Sequence, residues 1–359
     1  MARIETEIGQ ILMVGISGSE LSAVEKDAFE RHRFGGFILF SHNCVRPAQI
    51  RSLCRSLWKV SKKLPPFIAI DQEGGRVHRL PEPLTHFPAA ELLGRTGQPE
   101  LAYRVGRATA AELALLGVNL DFAPVLDVNS NPKNPLIGNR SFGSQPQHVT
   151  PMALACARGL RDGGIIPCGK HFPGHGDTEK DSHLDIPIVD RPLDQLRTTE
   201  LPPFLHACQN HIEALMTAHV VFNCLDAAVP ATLSPRIITD LLRKEMAYEG
   251  VVFSDDMEMK SISDHYSEEE GALRCVRAGV DVLIYCHDMA KAIRIFDLFC
   301  REAKLDKALA ARIAESYRRI IRLKKLYLGK CKDITEAKLL NELSRLNHST
   351  LVDEIHGSL

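Results

Sequence analysis

Short apolar runs alternate with longer amphipathic stretches along the chain. Residues 11–17, 36–40, 67–71, 118–127, 167–172, 214–220, 251–255 and 281–286 are apolar at successive positions, which predicts strands buried on both faces. Between them, residues 22–31, 47–60, 100–116, 148–162, 193–209, 234–246, 268–278 and 289–303 repeat apolar residues at roughly helical spacing. Eight buried strands, each followed by a helix, predict a single-domain (β/α)8 TIM-like barrel. An open doubly wound sheet shares this alternation. No Gly-x-Gly-x-x-Gly follows an early strand, and no Gly-x-x-x-x-Gly-Lys is followed by Ser or Thr (Gly164–Lys170 is followed by His171), so the nucleotide-binding fingerprints are missing. The barrel with its last helix, 305–328, is expected to fill 1–330. The basic residues Arg318, Arg319, Arg322, Lys324 and Lys325 of that helix are expected on a solvated face. The more polar stretch 331–359 is expected to form a helix and a loose tail.

Composition narrows the function classes. Of 359 residues, 45% are hydrophobic and 25% charged, values of a folded globular chain. Lys and Arg number 44 against 45 Asp and Glu, with no basic block, so neither nucleic acid nor a membrane surface is an expected partner. The N-terminus lacks the pattern of a secretory signal, and no apolar run reaches the ~18 residues of a membrane span. The ten cysteines are scattered through apolar segments without a Cys-x-x-Cys, which reads as small buried hydrophobes in a reducing, cytoplasmic compartment.

The charged residues concentrate where predicted strands end. Asp71 closes the third, Asp121 and Asp127 flank the fourth, Lys170 and His171 end the fifth, His219 the sixth and Asp255 the seventh. In a barrel these ends converge on the C-terminal rim, where this architecture builds active sites. After the fifth strand comes a Pro- and Gly-rich polar loop, Lys170-His171-Phe172-Pro173-Gly174-His175-Gly176-Asp177, then Asp181-Ser182-His183. An imidazole beside a carboxylate, as in Asp181 and His183, suits proton transfer at neutral pH. Strand alternation predicts that only one of Asp255 and Asp256 faces the barrel mouth. An inward carboxylate opposite a proton donor is the minimal equipment for glycoside cleavage.

Three runs carry a family resemblance: Ile70-Asp71-Gln72-Glu73-Gly74-Gly75-Arg76-Val77, the Lys170–Gly176 loop with Asp181-Ser182-His183, and Phe253-Ser254-Asp255-Asp256. Together they resemble glycoside hydrolase family 3, in its short single-domain bacterial β-N-acetylhexosaminidase branch, over roughly residues 7–330. The resemblance implies that Asp255 is the nucleophile and His183 the acid/base, with Asp181 as its partner. It implies that Asp71 and Arg79 hold substrate hydroxyls, that Lys170, His171 and Arg140 complete the sugar pocket, and that Met216 and His219 line it. Asn139 departs from the acidic residue common beside that arginine. The implied substrates are small carbohydrates, β-N-acetylglucosamine glycosides of muropeptides, cleaved with retention; no cofactor and no metal are expected, and a monomer is the default expectation. Longer members take their acid from a second domain, for which the 55 or so residues after 304 leave no expected room.

Other readings fit the same residues. The substrate's acetamido group could attack with a carboxylate pair assisting, which strand alternation disfavours. A phosphorylase or a broad β-glycosidase would use the same pocket. A metal-dependent hydrolase would draw on His171, His175, His183 and Asp181. A non-catalytic sugar-binding module would explain the rim charges but not a nucleophile with a proton carrier.

Overall fold

The computed structural model describes residues 3–61, 64–179, 186–329 and 334–359. In chain order its strands are β1 (Leu12–Gly15), β2 (Gly36–Leu39), β3 (Phe67–Ile70), β4 (Leu120–Asp121), β5 (Ile166–Phe172), β6 (Ile188–Val189), β7 (Ala214–Thr217), β8 (Val221–Phe222), β9 (Val251–Asp256) and β10 (Val282–Tyr285). Eight of them close a barrel in the order β1-β10-β9-β7-β5-β4-β3-β2, every neighbouring pair parallel. The fold is the expected (β/α)8 barrel. The short strands β6 and β8 pair with each other outside it.

The barrel strands are buried on both faces because helices cover the outside and side chains fill the inside. Phe67 on β3 and Phe253 on β9 meet across the interior at 5.9 Å, and Phe253 meets Phe122 at 5.6 Å, all edge to face. These rings seal the barrel beneath its C-terminal mouth. Local sequence sets the helix ends. Ser22 caps the helix Ala23–His32, and Glu25 returns the bond to the Ser22 amide. Proline opens Pro47–Val60, Pro99–Leu116 and Pro146–Asp162, where its missing N–H costs nothing.

Several expectations need correction. The predicted 193–209 helix is two, Leu193–Thr198 and Leu201–Gln209, with Pro202 and Pro203 opening the second. The helix Lys307–Tyr327 does not leave all its basic residues in water. Arg319 reaches the buried Asp281 at 3.3 Å, alongside Arg312 at 2.6 Å. Lys324 is buried, bonding the Gln10 side chain at 2.7 Å and the Gly35 carbonyl at 2.6 Å. After residue 333 the chain forms two helices, Glu336–Arg345 and Ser349–Gly357, rather than one with a loose tail. Their Leu339, Leu351 and Ile355 are buried, and that apolar burial holds the segment.

Candidate active site

The mouth is built from strand ends, and the first wall starts at β3. Past Ile70 the chain turns out of the barrel, and the Gln72 amide donates to Asp121 Oδ1 at 3.0 Å. This fixes Asp71 and Glu73 on either side of Lys170, near the end of β5. Lys170 Nζ lies 2.6 Å from Asp71 Oδ1 and 2.7 Å from Glu73 Oε1. Glu73 in turn takes Arg140 in a two-pronged pair, at 2.9 Å to Nε and 2.8 Å to Nη2. The chain Asp71–Lys170–Glu73–Arg140 alternates in charge and is nearly sealed from water. Burial works against the charged forms here. Even so, Arg140 and Lys170 hold Glu73 far below the usual carboxylate range, and Asp71 and Glu73 raise Lys170 above its ordinary value. Arg140 is therefore supported by Glu73, whatever stands at Asn139.

The second wall is the loop leaving β5. Asp127 accepts the His171 amide at 3.1 Å, the His171 ring Nδ1 at 2.7 Å and the His175 amide at 2.7 Å. Burial would raise the Asp127 pKa, but the His171 ring and these donors keep it below the usual range. Both histidines are buried, their rings edge to face at 5.7 Å. Burial, together with His171, pushes His175 down to about 4. Gly176 permits this packing, since a Cβ there would stand 1.6 Å from the Val128 carbonyl oxygen. Asn134 ties the loop down further, donating to the His175 carbonyl at 2.8 Å and to Thr178 Oγ1 at 3.0 Å. Asp181 and His183 lie outside the described residues.

The third wall is the tip of β9. Asp255 accepts the Asp256 amide at 2.8 Å and borders the cavity. Burial would raise its pKa, but His171, His219, that amide and Lys170 outweigh it, so the carboxyl stays below its ordinary value. Strand alternation misleads at Asp256, which borders the same cavity. The reason is a register shift: Val282 pairs with Phe253 but Ile284 with Asp256, so two steps on β10 face three on β9. Asp256 is then bonded by the Glu258 amide at 3.1 Å and the Cys286 amide at 3.2 Å. Burial and the neighbouring Glu258 and Asp255 carboxylates push it up to about 6.

The walls enclose a cavity of about 510 Å³. It gathers Asp71, Arg79, Arg140, Lys170, His171, Met216 and Asp255. The Nε of Arg79 is buried and has no hydrogen-bond partner among the described residues. His219, expected to line the pocket, is not among the described residues that border this cavity. It is buried just past β7, with Nδ1 2.8 Å from Thr232 Oγ1 and Nε2 3.0 Å from the Asp256 carbonyl. That bond ties it to the tip of β9. Glu73 and Asp127 are site residues that strand-end reasoning gave no role. Glu73 stood in a quoted motif, and Asp127 stood at a strand end, but their bonding partners are 67 and 44 residues distant. Among the described residues no group of three or more His, Cys, Asp or Glu is placed to hold a metal.

The family model for the glycosyl hydrolase family 3 N terminal domain matches residues 3–323. The chain belongs to glycosyl hydrolase family 3. The family 3 chain is 38% identical over 282 residues to a beta-hexosaminidase of Alkalilimnicola ehrlichii, covering 77% of this chain and 80% of that one. It is 37% identical over 285 residues to a beta-hexosaminidase of Pseudomonas aeruginosa, covering 78% and 83%. Among solved structures it resembles a family 3 beta-N-acetylglucosaminidase from a Paenibacillus species, with a TM-score of 0.89 and 35% identity over 96% of this chain and 68% of that one. It also resembles NagZ from Neisseria gonorrhoeae, solved with N-trifluoroacetyl-D-glucosamine, with a TM-score of 0.75 and 31% identity over 95% and 98%. The family 3 chain is a glycoside hydrolase acting on carbohydrate. No helix among its described residues is long and apolar enough to cross a membrane.

Proposed function

We propose that this family 3 enzyme is a retaining β-N-acetylhexosaminidase that removes terminal β-N-acetylglucosamine from peptidoglycan-derived muropeptides. It works in the cytoplasm as a monomer, without metal or cofactor. Its named relatives support the sugar, and the barrel's residues 1–330 are its catalytic unit. The observation that carries the chemistry is Asp255: a cavity-facing carboxylate, kept ionised by the imidazoles and Lys170 around it, opposite a wall of hydroxyl-binding charges.

In this mechanism Asp71, Arg79, Arg140, Lys170 and His171 grip the sugar hydroxyls, and Met216 packs beneath the ring. An Asp255 carboxylate oxygen attacks the anomeric carbon. The glycosidic bond breaks, and its electron pair leaves with the oxygen, which takes the proton of His183. Asp181 orients that ring. Neutral His183 then accepts a proton from water as the water oxygen attacks the same carbon, releasing Asp255 and retaining configuration.

Four experiments test the reading. Incubation with 5-fluoro-β-N-acetylglucosaminyl fluoride should add one sugar mass to the protein, mapped to Asp255; no adduct would remove the covalent step. Asp255→Ala should lower kcat by at least about 10³-fold with an unchanged circular dichroism spectrum. His183→Ala should slow substrates with poor leaving groups about 10²-fold while sparing activated aryl glycosides; equal losses would exclude its acid role. Running each assay with and without phosphate, with the product identified, separates hydrolysis from phosphorolysis.

One observation favours a second reading, attack by the substrate's own acetamido oxygen. Asp256 shares the cavity with Asp255, and its raised pKa suits a proton-sharing partner. The mass experiment decides between them, since only a protein nucleophile retains the sugar.

A further inference from the structure

The chain that leaves β3 carries two histidines with no part in the sugar-binding scheme. His78 and His86 stack face to face, their centroids 4.2 Å apart and their planes 11° from parallel. His78 is half-buried and His86 exposed, and neither is among the described residues that border the cavity. Arg79 follows His78 directly and does border it. Among the described residues the Arg79 Nε has no hydrogen-bond partner, whereas its backbone amide donates to Gln72 Oε1 at 2.9 Å. A guanidinium on a long flexible stem is then aimed chiefly by the backbone that carries it.

The stack holds that backbone. Gln72 Oε1 takes the Arg79 amide, so the Gln72 NH2 group faces His78 Nδ1, at 2.6 Å. His78 Nδ1 must then accept, which leaves the ring neutral with its proton on Nε2. Burial and the neighbouring His86 push His78 down to about 4, in keeping with that form. His86 covers one face of the ring, and its own Nε2 lies 2.7 Å from the Gly75 carbonyl. Beside it, Thr85 is fixed by Glu112, which accepts its amide at 3.1 Å and its hydroxyl at 2.6 Å. The Gly75 amide donates to the Phe87 carbonyl at 2.9 Å. Gly75 has φ +55°, and a Cβ there would stand 2.7 Å from Ala89 Cβ, so only glycine lets the two limbs of the loop lie this close. The same contacts leave no metal site between the rings. Stacked planes aim their in-plane lone pairs past each other, and one nitrogen of each ring is already bonded.

We infer that the His78–His86 stack is a positioning pair for Arg79, acting through Gln72 to fix the backbone from which the guanidinium reaches the cavity. This rests on the proposed glycosidase reading, in which Arg79 grips a sugar hydroxyl, and adds the residues that aim it. Neither imidazole touches the sugar. Gln72 also donates its own amide to Asp121, so one glutamine links the end of β4 to the stack. A displacement of about 1 Å at the arginine tip is enough to lose a hydrogen bond to a hydroxyl. Loss of the stack therefore weakens substrate binding while the chemistry at Asp255 proceeds. Rings that only packed the loop would matter equally whether or not Arg79 were present.

The test is a double-mutant cycle, read as KM and kcat for 4-nitrophenyl β-N-acetylglucosaminide. Arg79→Ala should raise KM about tenfold. His86→Ala should raise KM about fivefold, with kcat within about twofold of the parent. In the Arg79→Ala background, His86→Ala should change KM by less than about twofold. His86→Phe keeps a flat ring on His78 and should stay within about twofold of the parent. His78→Leu removes the acceptor facing Gln72; it should repeat the His86→Ala pattern, and it carries the test if that variant does not fold. The inference is overturned if His86→Ala and His78→Leu both leave KM at the parental value. It is overturned equally if either raises KM as much without Arg79 as with it, or if His86→Phe is as impaired as His86→Ala. Those outcomes leave the glycosidase reading intact. An Arg79→Ala enzyme with parental KM would overturn the inference together with the sugar-gripping role of Arg79, and that is read before either histidine is changed.

Discussion

Asp127 shows how much one side chain can organise. It has no exposed surface, and its two oxygens receive the backbone and ring of His171 and the backbone of His175. Losing it would strand several buried donors at once. Asp127→Ala should cost about 3 kcal/mol or more in urea unfolding, and should raise KM by releasing His171. A variant with parental stability would mean the loop holds itself. Hubs of this kind are hard to read from sequence. The run Leu126-Asp127-Val128 announces a strand end, yet nothing in it says that two histidines 44 and 48 residues later depend on it. The motif residues Asp71, Lys170 and Asp255 were legible because each ends an apolar run, and such ends meet on one rim.

At the scale of elements, boundaries shift where backbone chemistry intervenes. The predicted strand 118–127 survives as Leu120–Asp121, with one bridge from Val125 to Lys170, because Pro124 cannot donate to a ladder. The helix Ala90–Thr96 escaped notice since it spans only seven residues. The helix Pro99–Leu116 carries Glu112, which is buried and accepts Thr85 Oγ1 at 2.6 Å, with His348 of the C-terminal segment 3.9 Å away. Burial pushes Glu112 up to about 7 against the Thr85 bonds, and burial also lowers His348. The native state therefore keeps a proton on Glu112 that the unfolded chain releases near pH 4. Its contribution is largest in acid and is lost as pH rises toward about 7. Relative to Glu112→Gln, the parent should lose a few kcal/mol between pH 4 and pH 8, read from urea midpoints. Parallel pH profiles would contradict that burial.

For the whole molecule, the architecture was legible because it depends on only two periods, buried runs and amphipathic runs, alternating eight times. The side pair β6 and β8 was not, since two-residue strands leave no periodic trace. Closure itself rests on the seam between β1 and β10. A Cβ on Gly15 would stand 1.8 Å from the Cys286 carbonyl oxygen, so the seam closes only around a bare Cα. Gly15→Ala should destabilise the barrel by about 2 kcal/mol or more in denaturant unfolding, and should loosen the neighbouring His287 rim. Unchanged stability would show that the seam can give.

The edge-to-face rings of Phe67, Phe122 and Phe253 fill the barrel interior beneath the catalytic chamber. On the proposed reading, a chamber floored in this way takes a carbohydrate by its end and trims one unit per visit. Whatever enters last must exit first. The outer fragment departs while the inner one is still tethered, and a crowded mouth delays both.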